Sequence, residues 1–161
     1  MGNKKQQEIE TTICEFIDEP PLAMYDVGVG PKSEYIVLGE IYPDMKIIGM
    51  EPSRNFFLSL LPSFPGLLLP YAAWNEPAEL ELYRRNSEYD ATDAPTVFPV
   101  GPGKRELTET ETVTAKTLDW IDEQMGCLDR ILLWMDIEGA ELKALQGATK
   151  MLPSFTKLTH W

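Results

Sequence analysis

Met24-Tyr25-Asp26-Val27-Gly28-Val29-Gly30-Pro31-Lys32-Ser33 is an apolar run closed by an acid and a glycine turn, and Gly49-Met50-Glu51-Pro52 follows with its carboxylate 21 positions beyond Gly30. A strand ending in a glycine turn, then a second strand ending in an acid, is how many α/β domains hold a nucleoside. Gly28 and Gly30 carry no Cβ, so the backbone there can turn sharply and approach a ligand closely. Glu51 can accept hydrogen bonds from two vicinal ribose hydroxyls.

Outward from this pair the chain alternates. Leu22 to Val27 reads as a strand, Ser33 to Ile41 as a helix and Lys46 to Met50 as a second, buried strand. Pro52-Ser53 opens a helix through Leu60, Pro62 and Pro65 break the chain, and Gly66 to Ala72 supplies a third strand. Leu118 to Met125 reads as a helix, Arg130 to Met135 as a fourth strand, Ala140 to Leu145 as a helix closed by Gly147, and Lys157 to His160 as a fifth strand. This order predicts a parallel sheet with right-handed crossovers. Ahead of it, Ile9, Ile13, Phe16 and Ile17 recur at helical spacing, which predicts an amphipathic helix within residues 1–20 that ends at Glu19-Pro20-Pro21 and caps the sheet.

Two segments do not fit the alternation. Glu79-Leu80-Glu81-Leu82-Tyr83 has a period of two and Thr112-Val113-Thr114-Ala115 is β-branched, so they read as an extra strand pair or as edge strands. Between them, Asn86 to Glu109 holds Pro95, Pro99, Gly101, Pro102 and Gly103 without helical periodicity. It reads as a long loop, 86–110, of the kind that is either a functional lid or disordered.

With 161 residues, 43% hydrophobic and 25% charged, the chain reads as one soluble globular domain, 1–161, with one site to find. No apolar run approaches the roughly 18 residues of a membrane span. A formal net charge of −12 repels polyphosphate, which argues against nucleic acid as a partner in the absence of a basic cluster. Gly2 has the place of a myristoylated glycine, but Gln6 stands where Ser or Thr is needed and no signal-peptide core follows, so the chain reads as cytoplasmic. Cys14 and Cys127 are far apart and His160 is the only histidine, a poor inventory for zinc or for a His-dependent hydrolase. Both cysteines read as small buried hydrophobes. The acid run from Glu106 to Glu111 reads as a solvated face.

The glycine turn decides between ligands. A dinucleotide fingerprint wants a third glycine where this chain has Ser33, and Asp26 would put a carboxylate beside pyrophosphate. S-adenosyl-L-methionine brings no phosphate; it has a positive amino group and a positive sulfonium, and its carboxylate can use a helix N-terminus. Asp26 suits that ligand better.

Asp26-Val27-Gly28, Gly49-Met50-Glu51-Pro52-Ser53, Tyr71-Ala72-Ala73-Trp74, Thr117-Leu118-Asp119 and Met135-Asp136-Ile137-Glu138-Gly139-Ala140-Glu141 together resemble the FkbM-type family of S-adenosylmethionine-dependent methyltransferases. The resemblance runs from about Tyr25 to Leu152. Its most specific part is the Asp-Ile-Glu-Gly-Ala-Glu run followed by Leu145-Gln146-Gly147-Ala148. It implies an α/β, Rossmann-like methyltransferase fold, mostly parallel with helices on both faces. It also implies O-methylation of a hydroxyl on a sugar or natural-product-like small molecule. By position it places Asp26, Gly28 and Gly30 at the methionine side, Glu51 at the ribose, and Ala73 with Trp74 at the adenine, with Pro52 also among the cofactor-binding residues. Ser53 either supports the ribose or caps the next helix. Trp74 either lies on the purine or packs as an ordinary aromatic.

The chain departs from the resemblance twice. The family commonly has Asn and Gly where Gly30 and Lys32 stand, leaving Lys32 either to pair with the methionine carboxylate or to sit in solvent. The family fold also has two further strands after the fifth. Their place lies past Trp161, so the sheet is expected to lack its last two strands here.

Methyl transfer is an in-line displacement, so the protein must align nucleophile and methyl group and exclude water, and a hydroxyl acceptor gains from a base. Asp136 is the first candidate, followed by Glu138 and Glu141. The alternative roles are a turn or cap for Asp136 and a first-turn helix acid for Glu141. Three carboxylates near in sequence do not define a metal site, and none is assigned. Two other readings remain: a methyltransferase-like interaction module without turnover, and a nicotinamide-dependent oxidoreductase.

Overall fold

A computed structural model describes residues 19–30, 34–85, 95–98 and 107–160. The N-terminal helix, Cys14, Pro31, Lys32, Ser33 and most of the long loop lie outside the described residues. A five-stranded parallel sheet runs β3-β2-β1-β7-β8, built from β1 (Ala23–Val27), β2 (Lys46–Met50), β3 (Leu67–Leu69), β7 (Ile131–Met135) and β8 (Phe155–His160). A second sheet, ordered β4-β6-β5, contains β4 (Ala72–Ala73), β5 (Ala78–Arg85) and β6 (Leu107–Lys116). Helices α1 (Tyr35–Ile41), α2 (Arg54–Leu60), α3 (Leu118–Met125) and α4 (Glu141–Gln146) connect the strands. This is a Rossmann-like α/β fold.

β1 and β7 are buried at every position, as expected of parallel strands covered on both faces. Alternation sorts their side chains. Tyr25, Val27, Leu133 and Met135 join Leu118 and Ile121 of α3 and Ala144 of α4 on one face. Met24, Leu132 and Trp134 join Tyr35 and Leu38 of α1 and Leu60 of α2 on the other. The second sheet has its own small core of Ala72, Leu82, Val113 and Ala115.

One polar group lies beneath the α3 face. Asp122, 5% exposed, accepts from Tyr25 Oη at 2.9 Å and from the Leu128 N–H at 3.1 Å. Burial and this neighbouring carboxylate push the Tyr25 phenol far up, so it acts there only as a neutral donor.

The start of α3 shows what two of the family-like segments do physically. Thr117 caps the helix by accepting from the Trp120 N–H at 3.0 Å. Asp119 in the first turn accepts from the N–H groups of Lys150 and Met151, tying the chain after α4 to α3. Gly147 packs so closely that a Cβ there would lie 2.2 Å from the Trp74 carbonyl oxygen.

Three expectations are corrected. The third strand, read as Gly66 to Ala72, breaks after Leu69 because Pro70 has no N–H for the ladder, and Ala72–Ala73 pairs with β6 in the other sheet. The loop read as Asn86 to Glu109 ends sooner: Leu107 to Glu109 are already strand, continuing a row of alternate threonines into β6. Cys127 is exposed, because Gly126 ends α3 in a left-handed turn and Cys127 itself has φ 55°.

Gly147→Ala is expected to lose about 1–3 kcal/mol of stability by overpacking against fixed backbone. Urea unfolding measures it, and an unchanged midpoint would refute the close approach.

Candidate functional site

Three strands end level with one another. Val27 is in register with Met50 on one side and with Met135 on the other. The next residues, Gly28, Glu51 and Asp136, therefore leave the sheet side by side. Backbone bonds carry the alignment one step further: Gly28 N–H donates to Met50 O at 2.9 Å, Asp136 N–H to Val27 O at 3.0 Å, and Glu51 N–H to Leu69 O at 3.0 Å. With neighbouring strands about 4.8 Å apart, Glu51 and Asp136 stand roughly 10 Å from each other along the edge. The strand order reverses between β1 and β7, and the crevice outside such a reversal is where open α/β sheets bind ligands.

A cleft open to solvent occupies this crevice. Gly28, Gly30, Met50, Glu51, Pro52, Asp136, Ile137 and Glu138 form the side given by the strand ends. Phe56 of α2, Tyr71, Ala73, Leu82 of β5, Pro95 and Val97 form the opposing, largely apolar side. Thr96 straps the two together. It exchanges backbone hydrogen bonds with Tyr83 at 2.8 and 3.0 Å, and its hydroxyl donates to the Glu138 carbonyl at 3.3 Å.

The acids in the cleft differ. Glu51 is only 5% exposed, and its Oε1 accepts from the Ser53 N–H at 2.8 Å. Its carboxyl is pushed up to about 8, chiefly by burial, with the Ser53 bond opposing, the charges of Asp26 and Glu111 adding to the rise and Arg84 opposing it. Asp136 and Glu138 are exposed. Glu138 has φ 54° and Gly139 φ 99°, and the Glu141 carboxylate braces this left-handed turn by accepting from the N–H groups of Ile137 and Gly139, each at 3.2 Å.

Of the residues singled out from sequence, Gly28, Gly30, Glu51, Pro52, Ala73, Asp136 and Glu138 meet at the cleft, and Asp26, Ser53, Trp74 and Glu141 do not line it. Asp26 is buried behind the turn, on the strand face that carries Met24, where its charge acts on Glu51 and Tyr35. Ser53 is fully buried; its side chain makes no cap bond and instead accepts from Arg84 Nη2 at 3.0 Å. Trp74 lies beside Phe98, ring centres 6.2 Å apart, and beneath Lys143 Nζ at 5.5 Å. Glu141 serves the turn just described.

The two glycines have different reasons. Gly28 has φ 90°, and a Cβ on it would lie 2.2 Å from the Asp136 carbonyl oxygen, so its approach is to the β7 turn. Gly30 has open space where a Cβ would go. Phe56, Tyr71, Leu82, Pro95 and Val97 line the cleft without being expected there. Tyr71 is adjacent in sequence to Ala72-Ala73; the rest arrive from the second sheet, α2 and the strap, with no local motif. Glu111 is also more than part of a solvated face, since its Oε1 accepts from the Arg54 N–H at 3.1 Å.

Among the described residues no three His, Cys, Asp or Glu side chains are grouped to hold a metal ion, and no helix is long and apolar enough to cross a membrane.

Strand order and crevice define the class: a Rossmann-like domain with an acid-edged cleft at its switch point. Residues 37–157 match the methyltransferase FkbM domain, and the chain belongs to that family. Neither the curated proteins nor the solved structures gave a match.

Because the Glu51 carboxyl is held above its ordinary 4.5, the folded chain binds more protons than the unfolded chain from about pH 4.5 to about 8. This contribution to stability is therefore fully present below that window and is lost as pH rises through it. Wild type should lose up to about 1.4 kcal/mol per pH unit relative to Glu51→Gln across the window. Denaturant titrations of both proteins at several pH values check this; parallel curves would refute it.

Proposed function

We propose that the chain is an S-adenosylmethionine-dependent O-methyltransferase acting on a hydroxyl of a sugar or natural-product-like small molecule, with neither nucleic acid nor membrane as its substrate. The observation that carries this reading is Glu51, a buried carboxylate held by its own backbone neighbour at the end of β2 and open to the cleft. A fixed acceptor of this kind, next to Pro52 and across from Tyr71 and Ala73, suits a ribose with a purine beside it. Gly30, with open space where a side chain would stand, leaves room for the methionine part. The donor set fits the cofactor.

When bound, S-adenosylmethionine supplies a methyl group activated by a sulfonium. Glu51 accepts from the ribose hydroxyls. Asp26, buried behind the turn, adds negative charge that favours a positively charged ligand. Asp136, exposed at the cleft, orients the acceptor hydroxyl and takes its proton, while Glu138 supplies a second acceptor. Glu141 holds the turn that presents both. Phe56, Leu82 and Val97 give the bound molecules an apolar wall opposite the acids.

Calorimetry with S-adenosylhomocysteine and with nicotinamide dinucleotide separates the ligand classes. The first should bind and the second should not. Glu51→Ala should weaken binding roughly ten- to hundredfold, the loss of the ribose hydrogen bonds, and the difference from wild type should grow as pH rises through about 8 and the carboxyl ionises. With an acceptor drawn from a panel of hydroxylated compounds, Asp136→Asn should lower kcat roughly 10²- to 10⁴-fold with cofactor affinity nearly unchanged. No binding of S-adenosylhomocysteine to a folded sample would overturn the proposal.

A further inference from the structure

The inner face of the β5–β6 hairpin reads Ala78, Leu80, Leu82 and Arg84 on one strand and, opposite them in turn, Ala115, Val113, Glu111 and Glu109 on the other. Three charges thus occupy the end of a face whose other members are apolar, with Arg84 set in register across from Glu109 and diagonally from Glu111. The pairing shifts between Arg84 and Arg85, and such a bulge re-aims the side chain beside it. Arg84 Nη2 donates to Ser53 Oγ at 3.0 Å, with the guanidinium 5.7 Å from the Phe56 ring centre. Glu111 accepts from the next residue's N–H, that of Arg54, at 3.1 Å. Arg84 and Glu111 therefore both hold the one peptide segment whose Ser53 N–H holds Glu51.

We infer that Arg84 is a positioning residue for the ligand-binding carboxylate, acting from the second sheet on Glu51 through Ser53. Arg84 supplies the positive charge that offsets Asp26 on β1 and Glu111 on β6, the acids that act on Glu51, while Tyr35 on α1 couples to Asp26. Its hydrogen bond fixes a serine that is fully buried and away from the cleft wall, so its influence on a ligand passes through the Glu51 carboxylate. The inference rests on the nucleoside reading only for its consequence in binding. Its action on Glu51 is a property of the ligand-free chain.

The test uses two readouts on the full chain. In protein labelled with ¹³C-glutamate, the Glu51 carboxyl carbon, assigned with Glu51→Gln, reports its titration without any ligand. Arg84→Met should move the midpoint upward, and Arg84→Lys, which keeps the charge, should move it less. Ser53→Ala keeps the backbone donor but removes the anchor of the guanidinium; it should shift the midpoint in the same direction and serves if Arg84→Met does not fold. Calorimetry with S-adenosylhomocysteine should show Arg84→Met roughly tenfold weaker near pH 7, the equivalent of one pKa unit, with the gap closing above pH 9. An unchanged midpoint in the folded variants, or a loss of affinity equal at every pH, would overturn the role of Arg84. Failure of wild type to bind at any pH would overturn the nucleoside reading alone, and the carboxyl titration would still decide whether Arg84 acts on Glu51.

Discussion

The fit of Gly28 against the Asp136 carbonyl is the constraint on which the cleft depends. Three strands end level, and the chain leaving β7 must cross the end of β1 to reach α4. It can do so only because Gly28 has no Cβ and adopts φ 90°, where a side chain would sit 2.2 Å from that oxygen. From this contact follow the position of Asp136, the left-handed turn at Glu138 and the need for a brace. A non-glycine residue in that conformation costs roughly 1–2 kcal/mol. Glu141 offsets part of that cost with two backbone bonds, which ties the acid motif to geometry before any chemistry is considered.

The second sheet turns an edge into a cleft. The parallel sheet offers acids and backbone at its strand ends; β5, Tyr71 and the Thr96 strap supply the apolar wall opposite. Its attachment is polar at the points nearest the site: Arg84 to Ser53, Glu111 to Arg54, and Thr96 to Glu138. Each of these bonds ends on a cleft acid or within three residues of one. The wall and the acids are therefore positioned by the same contacts.

Strand order was legible because both of its signals are local. Buried parallel strands are short apolar runs, and their ends are marked by Gly28, Glu51 and Asp136, so β1, β2 and β7 fell within a residue of their expected bounds. What could not be read was direction. Asp26 is still inside β1, on the strand face that carries Met24, whereas Gly28 lies past the strand's end at φ 90°, so two residues apart in sequence they part at the turn and Asp26 went behind it. Ala73 and Trp74, adjacent in sequence, split because one step along an extended chain puts a side chain on the opposite face. Pro70 was visible, but that the chain would change sheets there depended on β6, more than thirty residues away. Phe56, Leu82 and Val97 carry no chemical signature, and only packing makes them a wall.

The electrostatics of Glu51 oppose the stability of the empty chain. A carboxyl buried to 5% exposure beside Asp26 and Glu111 is held neutral toward pH 8, a state that suits folding but makes a weaker acceptor. A ligand carrying positive charge and two hydroxyl donors reverses both terms, since it replaces lost hydration with donors and offsets the neighbouring acids. Under the proposed function, that is the ligand the site would hold. Had evolution sought stability alone, a Gln at this position would relieve the repulsion at no cost in shape. An acid held against its surroundings in this way is what the proposed binding role of Glu51 requires.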